Sequence, residues 1–114
     1  MSQTLTTTTA WWLLAAAGAL EILWAVGMKY TEGFTRLWPS VVVIVIAWVS
    51  FWLLGLAMRV LPVGTAYAVW VGIGAVGAAI LGMWLFKEPA TAARIGCIAL
   101  IVAGVVGLKL VSEH

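Results

Sequence analysis

Between Gly64 and Phe86 the chain runs for 23 residues without a charged side chain. As a helix, that run rises about 35 Å, enough to cross the ~30 Å hydrocarbon layer of a bilayer. Two further runs, Ala10–Met28 and Pro39–Met58, are of similar length and character. A fourth lies between Arg94 and Lys109. It is shorter, but both flanking cations can snorkel outward and lengthen its effective span. With 65% apolar and 9% charged residues, the chain cannot be an ordinary soluble domain. The fold expected is an all-α membrane protein with four transmembrane helices, over about 10–28, 39–58, 64–86 and 92–111.

The breaks between the runs are short. Pro39, Pro62 and Pro89 fall at helix boundaries, where a missing N–H is tolerated. Thr91 is placed to cap the last helix. Trp11, Trp12, Trp38 and Trp84 sit near helix ends, as an interfacial aromatic belt requires. Met1–Thr9 is polar and lacks Lys and Arg, so it is not a signal peptide and reads as a disordered tail. No segment outside the spans is long enough to fold into a catalytic domain. An enzyme is not expected, and nothing calls for a cofactor or metal. The net charge of +2 is scattered and leaves no nucleic-acid footprint. Cys97 has no partner for an intrachain disulfide, and His114 is terminal.

Glu21 is the one acid deep in a span. A carboxylate at mid-bilayer costs roughly 2.5–3.5 kcal/mol on insertion scales, a cost tolerated where the group holds a proton, an ion or a cationic substrate. Small neighbours, Ala17, Gly18 and Ala25, leave space beside it, and Trp24 shares its face at i+3. Tyr67 and Trp70 are also i and i+3, on helix three. Their phenol and indole groups can orient a carboxylate and flank a cation. Ser50 is the polar residue in the middle of helix two. It either bonds back to its own i−4 carbonyl or faces a site. Trp48 and Trp52 form a stripe roughly opposite and read as lipid-facing.

Gly72, Gly74 and Gly77 spell GxGxxG, but no strand or βαβ unit surrounds them, so a dinucleotide site is rejected. Glycines inside a span let helices approach closely. Gly96, Gly104 and Gly107 offer a second packing face on helix four, suited to a dimer contact. Lys29, Glu32 and Arg36 can pair locally. Lys29, Arg36, Lys87 and Arg94 flank loops one and three, whereas Arg59 and Lys109 lie on the other side. Four against two is a weak positive-inside bias, which leaves both orientations accessible.

The stretches Gly18-Ala-Leu-Glu21-Ile-Leu-Trp24, Gly33-Phe-Thr-Arg-Leu-Trp-Pro-Ser40, Ser50-Phe51 and Pro62-Val-Gly-Thr-Ala-Tyr67-Ala-Val-Trp70, with Gly72-Ile-Gly74, resemble the small multidrug resistance family over about Trp11 to Leu110. The resemblance implies an antiparallel, dual-topology homodimer in the plasma (inner) membrane, with both Glu21 carboxylates in one shared site. It also implies proton-coupled export by alternating access, so protons and an organic cation would be the partners. Trp24 stands where the multidrug branch typically has a small residue, and Ala47 where that branch commonly has Tyr. Both departures make the chain look like the branch that exports guanidinium. Gly18 and Ala47 would then shape the pocket around Glu21, Trp24, Ser50, Tyr67 and Trp70. The alternatives are export of quaternary ammonium and other multidrug cations, an uncoupled channel, and a non-transporting membrane subunit in which Glu21 is assembly glue.

Overall fold

The computed structural model describes residues 6–111. It consists of four α-helices: α1 (Thr7–Tyr30), α2 (Leu37–Ala57), α3 (Val63–Leu85) and α4 (Ala92–Val111). All four are long and apolar enough to cross a membrane.

The helix ends follow local chemistry. Pro39 occupies the first turn of α2, where its absent N–H would have had no intrahelical acceptor. Pro62 is the N-cap of α3. Thr91 caps α4, its Oγ1 accepting from Arg94 N at 3.2 Å. The fourth span forms at 20 residues because it continues past both flanking cations. One boundary differs from expectation. The first helix starts at Thr7, not Ala10, because Thr6 Oγ1 accepts from Thr9 N at 3.1 Å and caps it. Thr7–Thr9 therefore belong to α1, and the rest of the expected tail, Met1–Leu5, lies outside the described residues, as does His114. Loop one is tied by Thr31, which is 1% exposed. Its hydroxyl donates to Met28 O at 2.7 Å and accepts from Phe34 N at 3.1 Å.

Helix α1 is the hub and packs against both α2 and α3; α4 packs on α3. The buried core joins Ala10, Leu14 and Ala17 of α1 to Leu54 and Ala57 of α2 and to Ala66, Val69 and Trp70 of α3, with Leu61 between. None of the residues of α4 is buried. The protomer measures 42 × 37 × 16 Å. With helix diameters of about 10 Å, its thin dimension leaves little room to enclose a polar chamber.

The glycines divide into two sets. A Cβ on Gly72 would overlap Val105 of α4, one on Gly74 would overlap Glu21 of α1, and one on Gly77 would overlap Ile22 of α1. These three sit where α3 meets its neighbours. Gly96, Gly104 and Gly107 face open space, so within the protomer they are not packing positions.

Candidate functional site

The site is assembled where α1, α2 and α3 converge. Gly18 admits the side chain of Ile73, drawing α1 and α3 together one turn before Glu21. The absent side chain of Gly74 then leaves the place where the Glu21 carboxyl group lies. Glu21 Oε1 and Trp24 Nε1 are both buried and have no hydrogen-bond partner among the described residues. A buried acceptor and a buried donor on one helix face, each unsatisfied, are costly unless another group meets them.

An aromatic cluster closes this region. Trp24 lies 5.9 Å from Phe51 and 6.4 Å from Trp70, measured between ring centroids, and Phe51 lies 5.4 Å from Trp70. Tyr67 joins through Trp70 at 5.6 Å and is 53% exposed. Its phenol is therefore at the open edge of the cluster. Phe51 is a residue that periodicity did not single out for the site. The signal available was its place beside Ser50 and four residues after Ala47, which puts Phe51 and Ala47 on one helix face.

Ser50 reaches across the bundle instead of back along its own helix. Its hydroxyl donates to Ala17 O of α1 at 2.8 Å, not to its own i−4 carbonyl. It also accepts from Trp70 Nε1 at 3.0 Å. One side chain, 0% exposed, thus ties three helices together, and its O–H donor is spent on α1 backbone one turn before Glu21. Trp70 is likewise committed, since its indole N–H is given to Ser50.

Ala47 sits on the outer side of the aromatic cluster. With Ile44, Trp48, Phe51 and Trp52 it lines an apolar groove of about 510 Å³ along α2. Trp48 and Trp52 are 74% and 61% exposed and form its outer walls. Phe51 belongs to both the groove and the cluster, so it is the partition between them.

The loop charges lie apart from this region. Local pairing among Lys29, Glu32 and Arg36 is not what forms: Lys29 Nζ sits 5.3 Å from the centre of the Phe86 ring, and among the described residues Arg94 pairs with Glu88 at 2.7 Å. The left-handed backbone at Glu32, Gly33 and Phe34 turns loop one sharply, which fixes where Lys29 and Arg36 point.

The Glu21 carboxyl group thus lies in the niche that Gly74 leaves, in a chain with four helices long and apolar enough to cross a membrane. The family model described as Small Multidrug Resistance protein matches residues 9–101. The chain belongs to the small multidrug resistance family. Among its relatives, proteins named guanidinium exporter from Citrobacter freundii and Salmonella typhimurium are 59% identical over 105 residues, covering 92% of this chain and 99% of theirs. One from Yersinia pseudotuberculosis is 56% identical over 103 residues, covering 90% and 99%. As a member of this family, with four membrane-crossing helices, the protein is a multi-pass inner-membrane protein.

Proposed function

We propose that the protein is a proton-coupled exporter of guanidinium and small guanidinyl cations. The observation that carries this reading is the Glu21 carboxyl group, whose buried Oε1 has no hydrogen-bond partner among the described residues and which lies one turn before Trp24 on α1, in a chain 59% identical to proteins named for guanidinium export. Guanidinium is planar and presents N–H donors in a fork that matches a carboxylate's two oxygens. It has donors to give and no acceptor, so its binding partners must be acceptors. Glu21 offers one. Trp24, a donor, is suited to hold the carboxylate in place rather than to bind the cation directly. The surrounding rings can flank a flat cation face-on.

Coupling follows from competition. Protons and guanidinium bind the same carboxylates, so the site exchanges one for the other. Cation binding on the cytoplasmic side releases protons, the assembly rocks, and external protons displace the cation. Support for an antiparallel homodimer comes from three features: a protomer only 16 Å thick, the weak Lys/Arg asymmetry, and the open space around Gly96, Gly104 and Gly107 on α4. Two copies in opposite orientations would form the inverted pair that larger transporters encode in one chain. The groove along α2 would let an alkyl substituent of a singly substituted guanidinium pass the Phe51 partition into the hydrocarbon.

Flux into liposomes tests the reading. Guanidinium uptake driven by a pH gradient is the expected result. Uptake of tetraalkylammonium in its place would move the chain to the multidrug branch. Guanidinium flux independent of the gradient would make it a channel, and no flux at all a structural subunit.

A further inference from the structure

We propose that Glu88 is a latch: it holds loop three against the end of the cleft between α1 and α3 and sets how readily that cleft opens to water. The loop turns back on itself. Lys87 has left-handed backbone at φ 56°. The N–H groups on either side of it, of Phe86 and Glu88, both donate to Gly82 O, at 3.0 and 3.3 Å. This fold-back returns the Glu88 side chain to the last turn of α3. Its carboxyl group lies where a side chain on the buried Gly82 would stand, so that a Cβ there would overlap Oε1 and come within 2.9 Å of Cδ. From that niche Oε1 accepts from Arg94 Nη2, in the first turn of α4, at 2.7 Å. One carboxylate thus fastens together the end of α3, loop three and the start of α4.

Helix α1 stands against the other side of this loop. Lys29 Nζ lies 5.3 Å from the centre of the Phe86 ring, and the Tyr30 ring lies 5.5 Å from it. Behind these residues, between α1 and α3, is a cavity of about 300 Å³. Its walls include Ala25 of α1 with Ala78 and Gly82 of α3, and its loop end is formed by Lys29, Phe86 and Glu88. At ~30 Å³ for a water molecule in the liquid it has room for about ten, and the two charged side chains give them partners. Ala25 is one turn after Glu21, and Ala78 one turn after Gly74. The inner end of the cavity is therefore about 6 Å along the helix axes from the Glu21 niche.

The pairing that closes the latch is an openable one. The side chains of Arg94 and Glu88 are 34% and 37% exposed, and a pair in contact with water is weak and screened by salt. On the reading of Glu21 as the exchange site, an open cleft brings water within about a turn of the acid. The latch then governs the rate of exchange and not the affinity for guanidinium, since Glu88 does not touch the site.

Thiol accessibility in the purified full-length protein tests the latch. Ala78→Cys in a Cys97→Ser background places a reporter in the cavity wall. Val63→Cys, at the far end of α3 and 66% exposed, is the control. The probe is 2-sulfonatoethyl methanethiosulfonate. Glu88→Gln, Arg94→Gln and Gly82→Ala should each speed modification of the reporter about two- to fivefold, the range for loss of one partly exposed ion pair, and leave the control unchanged. The first two change the local charge in the same direction as neither each other nor Gly82→Ala, so a shared acceleration is not an electrostatic effect on the anionic probe. Gly82→Ala evicts only the end of a flexible side chain and adds a better helix former, so it spares the fold. Arg94→Lys should keep the slow rate, and raised salt should speed the reporter unless Gly82→Ala is present. In liposomes the same latch variants should alter the rate of guanidinium uptake and keep its affinity within about twofold. A reporter rate unchanged by Glu88→Gln and Gly82→Ala would overturn the proposal. So would equal acceleration of the control, which would mean a loosened fold. Absence of guanidinium flux in the unmodified protein would end the transport reading, and the labelling rates would still decide the latch.

Discussion

The carboxyl group of Glu21 occupies the space that a side chain on Gly74 would fill: a methyl group there would overlap Glu21 Cδ and Oε1. Gly74→Ala therefore forces either Glu21 or α3 to move. Overpacking of this kind costs about 1–3 kcal/mol, and the displaced group is the one proposed to bind the cation. Guanidinium affinity should fall at least about tenfold, the factor 1.4 kcal/mol represents. Gly96→Ala, at a site with nothing nearby in the protomer, serves as the comparison in binding calorimetry with detergent-solubilised protein. Equal effects of the two substitutions on affinity would show that the Gly74–Glu21 contact does not set the carboxylate's position.

Ser50 supplies a second handle. Removing its hydroxyl leaves Trp70 Nε1 without an acceptor in a region where Trp70 is 4% exposed. An unsatisfied buried donor costs about 1–3 kcal/mol. Ser50→Ala should lower thermal stability by that order and slow transport, because the tie to the Ala17 carbonyl is lost as well. Combining it with Trp70→Phe should cost less than the sum of the two single changes, since the orphaned N–H is then gone. An additive double-mutant cycle in thermal unfolding would mean that the two side chains are not coupled.

Much of this site is legible in the sequence, and the reasons differ residue by residue. Glu21 stands out because a charge in an apolar run is costly wherever the helix packs. The four spans are legible because length and hydropathy alone decide which segments can cross a bilayer. The partners of Ser50 are not, because periodicity names its neighbours within α2 but not the helix across from it. The carbonyl it meets, Ala17 O, is backbone and carries no side-chain signature. The glycines show the same limit. Gly72, Gly74 and Gly77 face other helices, whereas Gly96, Gly104 and Gly107 face open space, yet both sets are simply glycines in apolar runs. The start of α1 at Thr7 is not legible either, because a run of threonines reads as polar coil until one of them is seen to cap.

The proposed exchange mechanism predicts a direction for pH dependence. In it, cation binding requires the charged form of Glu21, and protons compete for that form. Apparent guanidinium affinity should therefore weaken as pH falls, by up to about tenfold per pH unit for each proton displaced. Glu21→Gln should abolish gradient-driven uptake and remove this dependence while leaving insertion and dimer formation intact. Substantial pH-driven uptake by purified Glu21→Gln protein would end the exchange mechanism.

The proposed dual topology has its own readout. Single cysteines placed in loops one, two and three of a Cys97→Ser background should each react with a membrane-impermeant maleimide from both sides of the membrane. The expectation rests on the weak four-against-two asymmetry of Lys and Arg over the two faces. A one-sided pattern would instead indicate a parallel assembly, or an opposite-facing partner encoded elsewhere.

The selectivity prediction separates the two branches of the family most directly. Trp24, one turn after Glu21 on α1, packs against both Phe51 and Trp70 at 5.9 and 6.4 Å, so its indole belongs to a set of interlocked rings rather than bordering open volume. A tetraalkylammonium has no N–H to give the carboxylate and needs those rings displaced. Guanidinium needs neither concession. A singly alkylated guanidinium keeps its fork of donors and can lay its tail in the groove of Ile44, Ala47, Trp48, Phe51 and Trp52. At one fixed pH, competition binding should rank guanidinium and phenyl- or alkylguanidinium above tetraethylammonium. Trp24→Ala should narrow that gap by admitting the bulkier ion, and Phe51→Trp should selectively weaken the alkylated compounds by blocking the partition. Tighter binding and faster proton-coupled transport of tetraethylammonium than of guanidinium would show that the packed rings do not govern which cation the site accepts.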